Sequence, residues 1–290
     1  MLDIIFNPSA GGKHGEKIKN CIAQVEARLK ERGVEYRLHP ATVKGQTTSL
    51  TKELIDQGAT DLVIVGGDGT LHAAINGFHS FERCNMGIIP CGTGNDFATA
   101  LNLPLDPVKA IDLIIDGTPK YTDFMQLPGI RGLNVAGVGI DADVLMYYEK
   151  LKKKTKFGYT KCLMKALAKF TYTDLDVEIN GQTTNYHSFI AVVANSPIFG
   201  GGIPICPPAD PTDCALDFLT VKSMKKLAII FAFLKLKKGK VMSFKQTVHE
   251  PIKEIKIKSS NTNIVNVDGE LYTDIPFEVK IVSNTLKLYR

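Results

Sequence analysis

The sequence predicts two domains: an α/β N-terminal domain around a parallel sheet, and a C-terminal domain that is mainly an antiparallel β-sandwich. Over residues 1–123, short apolar strands alternate with amphipathic helices, which is typical of a parallel sheet with helices on both faces. Over residues 124–282, β-rich segments follow one another with turn signals such as Asn180-Gly181 between them. We expect the tail, residues 283–290, to pack back onto the first domain.

The elements of the first domain follow from hydrophobic periodicity. The first helix has the clearest pattern, because Ile18, Ile22, Val25 and Leu29 recur at helical spacing and Gly33 follows them. The predicted strands cover residues 2–6, 36–39, 62–65 and 86–89. The predicted helices cover residues 16–32, 48–57, 71–78, 97–101 and 108–115.

The second domain is predicted from β-rich segments that turn residues separate. These segments cover residues 134–138, 175–179, 189–194, 216–221, 252–258, 262–267 and 277–282. The stretch Gly137–Asp141 is similar to half of a dinucleotide-binding fingerprint. We interpret it as a turn, because no βαβ unit follows it.

Composition excludes several classes of protein. With 44% hydrophobic and 22% charged residues, the chain is predicted to be globular and not disordered. The six cysteines form no CxxC pair and no Cys/His group at zinc spacing, which predicts reduced thiols and no zinc site. No signal peptide opens the chain, and its longest apolar run, residues 227–234, is shorter than the ~20 residues that span a bilayer. We expect a cytoplasmic protein that is not integral to a membrane.

The net charge of +5 is unevenly distributed. Residues 149–170 carry +7 and residues 222–245 carry +8, so the rest of the chain is at −10. This predicts peripheral attachment to an anionic membrane through a stripe of Lys161, Lys165 and Lys169, with a cluster at Lys235–Lys240. We expect the apolar half of residues 224–238 to be packed inside the protein. Two solvated helix faces are the alternative, and nucleic acid is disfavoured because arginines and interleaved aromatics are missing.

Three glycine-rich loops follow strands of the first domain, at residues 7–13, 66–70 and 92–96. Glycines let backbone N–H groups approach an anion, and the carboxyl ends of parallel strands gather such loops at one edge. Asp68 and Asp96 fit loops in which a divalent cation bridges carboxylate and phosphate, and Lys13 offers a positive charge. Taken singly, each loop could equally be a tight turn that binds no ligand.

The order of these loops resembles the diacylglycerol kinase catalytic-domain family, in its bacterial soluble lipid-kinase branch. The Gly66–Thr70 loop alone is shared with NAD kinases and 6-phosphofructokinases. The Gly92–Asp96 loop, the opening Asn7-Pro8, the Asp141 loop and the late Val267–Glu270 segment narrow the resemblance to lipid kinases. It covers about residues 4–285, and it implies an N-terminal domain of the NAD kinase and phosphofructokinase type.

The resemblance implies that ATP and Mg²⁺ bind between the domains. It assigns magnesium-linked carboxylates to Asp68 and Asp123, the catalytic base to Glu270, and a structural Mg²⁺ site to Asp210, Asp213 and the Ala215 carbonyl. Together, the loops and the resemblance assign nucleotide binding to Asn7, Pro8, Ser9, Ala10, Gly11, Lys13, Thr42, Gly66, Gly67, Gly69, Thr70, Leu71, His72, Gly92, Thr93 and Asn95.

Two segments depart from the family pattern: His72-Ala73 follows Leu71 where the family has Asn-Glu, and Cys214 replaces a glycine. Without the resemblance, Asp268-Gly269 is simply a hairpin turn. The expected function is an ATP-dependent lipid kinase that phosphorylates a lipid hydroxyl, with diacylglycerol giving phosphatidic acid as the first choice. The alternatives are a NAD kinase-like enzyme with a soluble substrate and a non-catalytic nucleotide- or lipid-binding regulator. The sequence identifies neither the lipid nor a homodimer.

Overall fold

The computed structural model describes residues 1–8, 15–151, 161–162, 165–166, 171–260 and 262–290. The N-terminal domain is built on four parallel strands in the spatial order β2-β1-β3-β4. The strands are β1 (Leu2–Phe6), β2 (Tyr36–Pro40), β3 (Asp61–Gly66) and β4 (Asn85–Pro90). Its helices are α1 (Gly15–Glu31), α2 (Gln46–Asp56), α3 (Asp68–Gly77), α4 (Asp96–Ala100) and α5 (Pro107–Asp116).

Helices cover both faces of this sheet, as predicted. Leu62 and Ile64 of β3 pack against α2, α3 and α4, while Val63 and Val65 point the other way, towards α1 and α5. Successive side chains of a strand point to opposite faces. A strand buried on both faces is therefore apolar along its whole length, which explains the unbroken run in β3.

The C-terminal domain continues as an antiparallel array in the order β14-β13-β7-β9-β8-β12-β15. Strand β10 lies between β9 and β11, and β6 pairs with β5. The strands are β5 (Pro119–Leu127), β6 (Ile130–Gly132), β7 (Val135–Gly139), β8 (Thr173–Ile179), β9 (Gln182–Ala194), β10 (Leu216–Lys222), β11 (Thr247–Ile252), β12 (Glu254–Ser259), β13 (Ile264–Val267), β14 (Glu270–Thr273) and β15 (Phe277–Tyr289). Among its described helices are α6 (Ile140–Glu149) and α7 (Lys226–Leu236).

Strand β9 shows why this domain is sandwich-like. Ala191 and Val193 face the core between the strands, whereas Val192 and Ala194 face a second core shared with α6 and the loop before β10. Both sides of the strand are covered at its C-terminal end, so residues 191–194 of β9 are fully buried. The predicted fold class is confirmed.

Strand β15 connects the two domains. Its first residues pair with β12, and further along it pairs with β5. Near its end, Leu288 lies opposite Met86 of β4 in parallel register. The side chains of Leu286 and Leu288 are fully buried in the core of the N-terminal domain. The two domains therefore share a continuous run of strands.

The prediction of a turn at residues 137–141 was wrong, because α6 begins at Ile140 directly after β7. Gly139 makes this tight entry: its φ is +112°, and a Cβ there would lie 2.8 Å from the carbonyl oxygen of Phe189. Strand β7 pairs antiparallel with β9 and β13, so no βαβ unit forms. Strands β5 and β6 were also not predicted, and β11 lies before the predicted segment 252–258 except at Ile252. Within the residues described, no helix is long and apolar enough to cross a membrane.

Candidate active site

Two of the glycine loops touch each other backbone to backbone at the carboxyl ends of β3 and β4. A Cβ on Gly67 would lie 2.8 Å from Cα of Gly92, and a Cβ on Gly92 would lie 2.4 Å from Cα of Gly67. Real Cβ atoms do not come that close, so this contact requires glycine at both positions. Asn95 Oδ1 accepts the N–H of Gly92 at 2.8 Å, and the Lys17 ammonium donates to the Gly92 carbonyl at 3.0 Å.

The first loop leads straight into α3, which begins at Asp68. Gly66 packs against the Thr70 side chain, since a Cβ on Gly66 would lie 2.5 Å from Thr70 Oγ1. A Cβ on Gly69 would meet only open space. The loop is thus fixed on one side by Thr70 and open at Gly69, with helical N–H groups available to an anion.

Asp68 has one oxygen engaged and one directed into the glycine loops. Its Oδ1 accepts the N–H of Phe97 at 3.2 Å, which helps to cap α4. Its Oδ2 would lie 2.9 Å from a Cβ placed on Gly94. The absence of a side chain at Gly94 therefore leaves this carboxylate oxygen uncovered on that side.

Asp96 is a buried carboxyl beside this space. Its Oδ2 accepts the N–H of Gly201 at 2.8 Å, whereas its Oδ1 is buried and accepts no hydrogen bond from the described residues. Burial raises the pKa of the Asp96 carboxyl to about 6, and the negative charge of Asp68 adds to the rise. An oxygen without a partner next to a second carboxylate fits the ligand set of a divalent cation. The loop pattern predicted a cation near Asp96, but nothing in the sequence showed that this carboxyl is buried.

Asp123 lies on β5 and is 2% exposed. Its Oδ2 accepts the N–H of Cys214 at 2.8 Å, and its own N–H donates to the Pro211 carbonyl at 2.8 Å. Burial raises the pKa of Asp123, while the Cys214 N–H bond opposes that rise. These contacts bind Asp123 to the loop before β10.

That loop carries the predicted structural Mg²⁺ ligands. Asp210 Oδ1 accepts the N–H and the hydroxyl of Thr212, and Asp213 Oδ1 accepts the N–H of Ala215 at 2.9 Å. Burial and the negative charges of Asp210, Asp217 and Asp123 raise the pKa of Asp213. Cys214 adopts φ +63°, the left-handed conformation for which the family's glycine is suited. The loop therefore keeps its turn without glycine, and its Mg²⁺ site stays a prediction.

Glu270 is exposed at the first residue of β14, next to the turn Asp268-Gly269. Both turn residues have positive φ, 53° and 92°, and Val267 lies opposite Glu270 in the hairpin. Glu270 therefore lies exposed to solvent directly after the tight turn of the hairpin.

Asp268 is a buried centre of hydrogen bonds and not only a turn residue. Its side chain is 1% exposed, and its two oxygens accept three backbone N–H groups, at 2.7, 2.8 and 3.1 Å, from Leu133, Asn134 and Val135. Its Oδ2 also lies 3.1 Å from Nδ1 of His72. Sequence reasoning missed this role, because a hairpin turn already accounts for Asp-Gly.

His72 connects the two domains. It lies on α3 and is 5% exposed, its Nδ1 faces Asp268, and its Nε2 lies 2.7 Å from the Tyr272 hydroxyl. His72, which departs from the family pattern, thus joins the helix that follows the first glycine loop to the hairpin that carries Glu270.

The remaining predicted nucleotide contacts that the structure describes lie at the same edge of the sheet. Asn7 and Pro8 directly follow β1, Thr42 follows β2, and exposed Thr93 lies in the loop after β4. The Thr42 N–H donates to Gln46 Oε1 at 2.6 Å, which ties the loop to the first turn of α2. Leu71 is 1% exposed in the core, so only its backbone is available to a ligand. Ser9, Ala10, Gly11 and Lys13 lie outside the described residues.

The two lysine-rich segments differ in what surrounds them. Lys161 and Lys165 are exposed, and Lys165 Nζ lies 4.4 Å above the ring of Tyr147. Lys169 lies outside the described residues. The expectation of a packed apolar half in residues 224–238 was wrong in part, because Phe231 is 68% and Leu234 is 55% exposed on α7. An apolar periodicity does not show whether another element covers the helix face.

Comparisons with known proteins agree with this arrangement. A family model described as "Diacylglycerol kinase catalytic domain" matches residues 2–127, and one described as "YegS C-terminal NAD kinase beta sandwich-like domain" matches residues 134–290. The chain is 28% identical over 280 residues to a diacylglycerol kinase of Bacillus subtilis (strain 168), covering 95% of this chain and 91% of that protein.

This chain is also 27% identical over 290 residues to a diacylglycerol kinase of Staphylococcus carnosus (strain TM300), covering 99% of this chain and 94% of that protein. A crystal structure of a diacylglycerol kinase from Bacillus anthracis str. Sterne superimposes with a TM-score of 0.72 at 23% identity, covering 99% of this chain and 96% of that one. This chain therefore belongs to the kinase family that joins a diacylglycerol kinase catalytic domain to a YegS C-terminal NAD kinase beta sandwich-like domain.

Proposed function

We propose that this protein transfers the γ-phosphate of ATP to the hydroxyl of a lipid, with diacylglycerol as the acceptor and phosphatidic acid as the product. The observation that carries the proposal is the contact of Gly67 with Gly92 in front of α3, beside the Asp68 and Asp96 carboxyls. Backbone N–H groups at such a site bind phosphate, and the nearby carboxylates suit a cation that accompanies it. The diacylglycerol kinases of Bacillus subtilis and Staphylococcus carnosus, matched over nearly their whole length, support the choice of acceptor.

The residues divide the work of phosphoryl transfer, which depends mainly on positioning and charge stabilisation. The lipid hydroxyl oxygen forms a bond to the γ-phosphorus, the bond from that phosphorus to the β,γ-bridging oxygen breaks, and ADP leaves. The hydroxyl proton passes to the Glu270 carboxylate, which is exposed and carries no described hydrogen bond that would have to be broken first. The contact of His72 with Asp268 keeps this hairpin next to α3.

The carboxylates of Asp68, Asp96 and Asp123 fit Mg²⁺ in different ways. Asp68 Oδ2 and the unpartnered Asp96 Oδ1 would hold it beside the glycine loops, while Asp123 is bound to the loop of Asp210 and Asp213. When bound, Mg²⁺ neutralises the negative charge of the transferring phosphate. Among these groups, Asp68 is the one that Gly94 leaves open to a ligand.

Membrane attachment is part of the proposal, because a lipid acceptor has to be reached in a bilayer. Exposed Phe231, Leu234 and Met242 lie near Lys235, Lys237, Lys238 and Lys240 in the sequence. Apolar side chains next to lysines are the pattern of a segment that lies in the interface of an anionic membrane. Lys161 and Lys165 add exposed positive charge. We propose that these groups hold the protein at an anionic bilayer by reversible, salt-sensitive binding.

The test of this function is phosphate transfer from γ-labelled ATP, with and without Mg²⁺, to a panel of acceptors in mixed micelles. The panel contains diacylglycerol, phosphatidylglycerol, a sphingoid base and, as a soluble acceptor, NAD. We expect label in the diacylglycerol product and none in NAD. Label in NAD alone would support the NAD kinase-like alternative, and ATP binding without transfer to any acceptor would support a non-catalytic regulator.

A further inference from the structure

Three side chains of different chemistry meet in the C-terminal domain, and the proposed kinase reaction uses none of them. The Sγ of Cys206, the carboxylate of Asp217 and the imidazole of His249 offer ligand atoms that all lie within 4.8 Å of one another. Nε2 of His249 lies 2.5 Å from Oδ1 of Asp217. Cys206 is fully buried and Asp217 is 5% exposed, while His249 retains partial access to solvent.

Three separate segments of the backbone position these groups. In the register of β10 with β11, Leu219 lies opposite His249 and Asp217 lies opposite Pro251. Asp217 and His249 are therefore diagonal neighbours on one face of the sheet. Cys206 comes from the loop before β10, where its N–H donates to the Pro197 carbonyl and its carbonyl accepts the N–H of Ala209. The three ligand atoms are thus brought together by the fold itself.

A thiol, an imidazole and a carboxylate form a mixed S, N and O ligand set, which suits zinc and similar transition cations and not Mg²⁺. With metal–ligand bonds of ~2.0–2.3 Å, the ligand atoms of a tetrahedral site lie ~3.3–3.8 Å apart. On binding, the His249–Asp217 hydrogen bond would be replaced by two metal bonds, and the ligand atoms, now within 4.8 Å of one another, would move to this spacing. We propose that Cys206, Asp217 and His249 bind a divalent transition cation of the zinc class, with a fourth position open beside His249.

The environment of Cys206 argues against a reactive thiol. Burial raises the pKa of the Cys206 thiol to about 12, and the negative charge of Asp217 adds to the rise. Such a thiol is a poor nucleophile and a poor redox sensor. A coordinated cation ionises the thiol outright. The thiol is therefore unreactive without a cation and becomes a strong ligand when a cation is bound.

The site has a structural consequence for its neighbourhood. A cation bound there would join β10 and β11 to the loop that continues to Cys214, whose N–H donates to Asp123 Oδ2. We assign the cation to fixing this loop, a role that does not depend on the proposed kinase activity. Cysteine and histidine spacing along the chain predicted no zinc site. Spacing does not reveal the group at positions 206, 217 and 249, because Asp217 and His249 approach each other only after β10 and β11 have paired.

Cobalt is the direct probe, because a thiolate bound to Co²⁺ gives a charge-transfer absorption band that oxygen and nitrogen ligands do not. Untagged, chelator-treated, reduced full-length protein is titrated with Co²⁺, and we expect the band to saturate at one ion per chain. Cys206→Ser removes the band. The matched control is Cys214→Ser, since Cys214 is an exposed cysteine outside the site and its variant keeps the band.

The second measurement is thermal unfolding with Zn²⁺ or Mg²⁺. At a hundredfold excess over Kd we expect Zn²⁺ to raise Tm by about 5 °C. His249→Gln weakens Zn²⁺ binding by more than about a hundredfold, beyond the usual effect of losing an outer-shell partner. The matched control is His187→Gln, because His187 also contacts an aspartate, Asp174, at 2.6 Å, but both side chains are exposed.

The proposal is overturned if wild-type protein shows no cobalt charge-transfer band. It is equally overturned if the Zn²⁺ effect on Tm persists in full in His249→Gln. None of these outcomes depends on Cys206→Ser, so a folding failure of that variant leaves the test intact.

Discussion

His72 Nδ1 lies 3.1 Å from Asp268 Oδ2, although 196 residues separate the two in the chain. The contact joins α3 of the N-terminal domain to the β13–β14 hairpin of the C-terminal domain, and the Tyr272 hydroxyl completes it at 2.7 Å from Nε2. One imidazole thus bridges the helix of the first glycine loop and the hairpin that carries Glu270. This bridge holds the β13–β14 hairpin against α3.

We expect His72→Ala to lower the free energy of unfolding by about 1–3 kcal/mol, because it leaves the buried Asp268 carboxylate and the Tyr272 hydroxyl without that partner. Tyr272→Phe removes only one of the two hydrogen bonds and costs about 1 kcal/mol. Urea denaturation of both variants and of the double mutant measures the coupling. His79→Ala is the control, since His79 contacts Asp56 on the surface. Equal losses in His72→Ala and His79→Ala would contradict a bridging role.

Asp68→Asn removes the negative charge of Asp68 but keeps its hydrogen bond to the Phe97 N–H. The amide oxygen still accepts the Phe97 N–H, so stability is kept, while phosphoryl transfer falls by at least ~10²-fold, the scale for losing a group that stabilises transition-state charge. Asp68→Ala also removes the cap of α4, at about 1 kcal/mol of stability.

The matched control for Asp68 is Asp106→Ala, which removes the analogous cap bond to the Lys109 N–H of α5. It should lose similar stability with unchanged kcat. Full turnover in Asp68→Asn at saturating Mg²⁺-ATP would rule out a role for the Asp68 charge.

Glu270→Gln keeps the shape of the side chain but cannot accept the hydroxyl proton. We expect kcat to fall by ~10²–10⁴-fold with little change in the KM for ATP. Glu254→Gln, at an exposed position on β12, is the control and should keep full activity. A kcat for Glu270→Gln within a few-fold of the wild type would make Glu270 an ordinary hairpin residue.

The raised pKa of Asp96 predicts a pH dependence of stability. The folded protein holds the carboxyl proton up to about pH 6, whereas the unfolded chain releases it near the ordinary value of 3.8. The unfolded state therefore binds fewer protons in this window, and stability falls as pH rises from about 4 to 6.

Asp96→Asn removes this dependence. Between about pH 4 and pH 6, the free energy of unfolding of the wild type should fall by up to about 3 kcal/mol relative to that of the variant. Below pH 4 and well above pH 6 the difference between the two proteins should stay constant. Chemical denaturation without Mg²⁺ at a series of pH values measures the difference. A constant difference from pH 4 to pH 7 would show that Asp96 ionises as readily in the folded protein as in the unfolded chain.

Vesicle sedimentation tests the two parts of the membrane surface. Replacing Lys161, Lys165 and Lys169 with glutamine should weaken binding to anionic vesicles by up to about 3 kcal/mol, roughly a hundredfold, and reduce its salt dependence. Phe231→Ser with Leu234→Ser should weaken binding at every salt concentration by at least about tenfold, because apolar burial is not screened. Leu105→Ser is the control, since Leu105 is 56% exposed in the N-terminal domain. Equal binding of all variants to neutral and anionic vesicles would refute the surface.

The sequence alone determined the class of both domains and the loops of the site. Alternation of apolar strands with helices such as α1 is a local signal, and so are the glycines of 66–70 and 92–96. In a parallel sheet the carboxyl ends of adjacent strands meet at one edge, so loops that follow β3 and β4 have to be neighbours. Their contact at Gly67 and Gly92 is the direct result.

Only the tertiary structure decided which distant groups meet and which apolar faces stay uncovered. The bond of His72 to Asp268 and the meeting of Cys206 with Asp217 and His249 depend on strand register and on how the domains pack. Phe231 is exposed because no described element covers that side of α7, although its helical pattern is that of a packed helix. Periodicity depends on neighbours along the chain, whereas burial and side-chain partnership depend on segments that are far away in sequence and come together only when the chain folds.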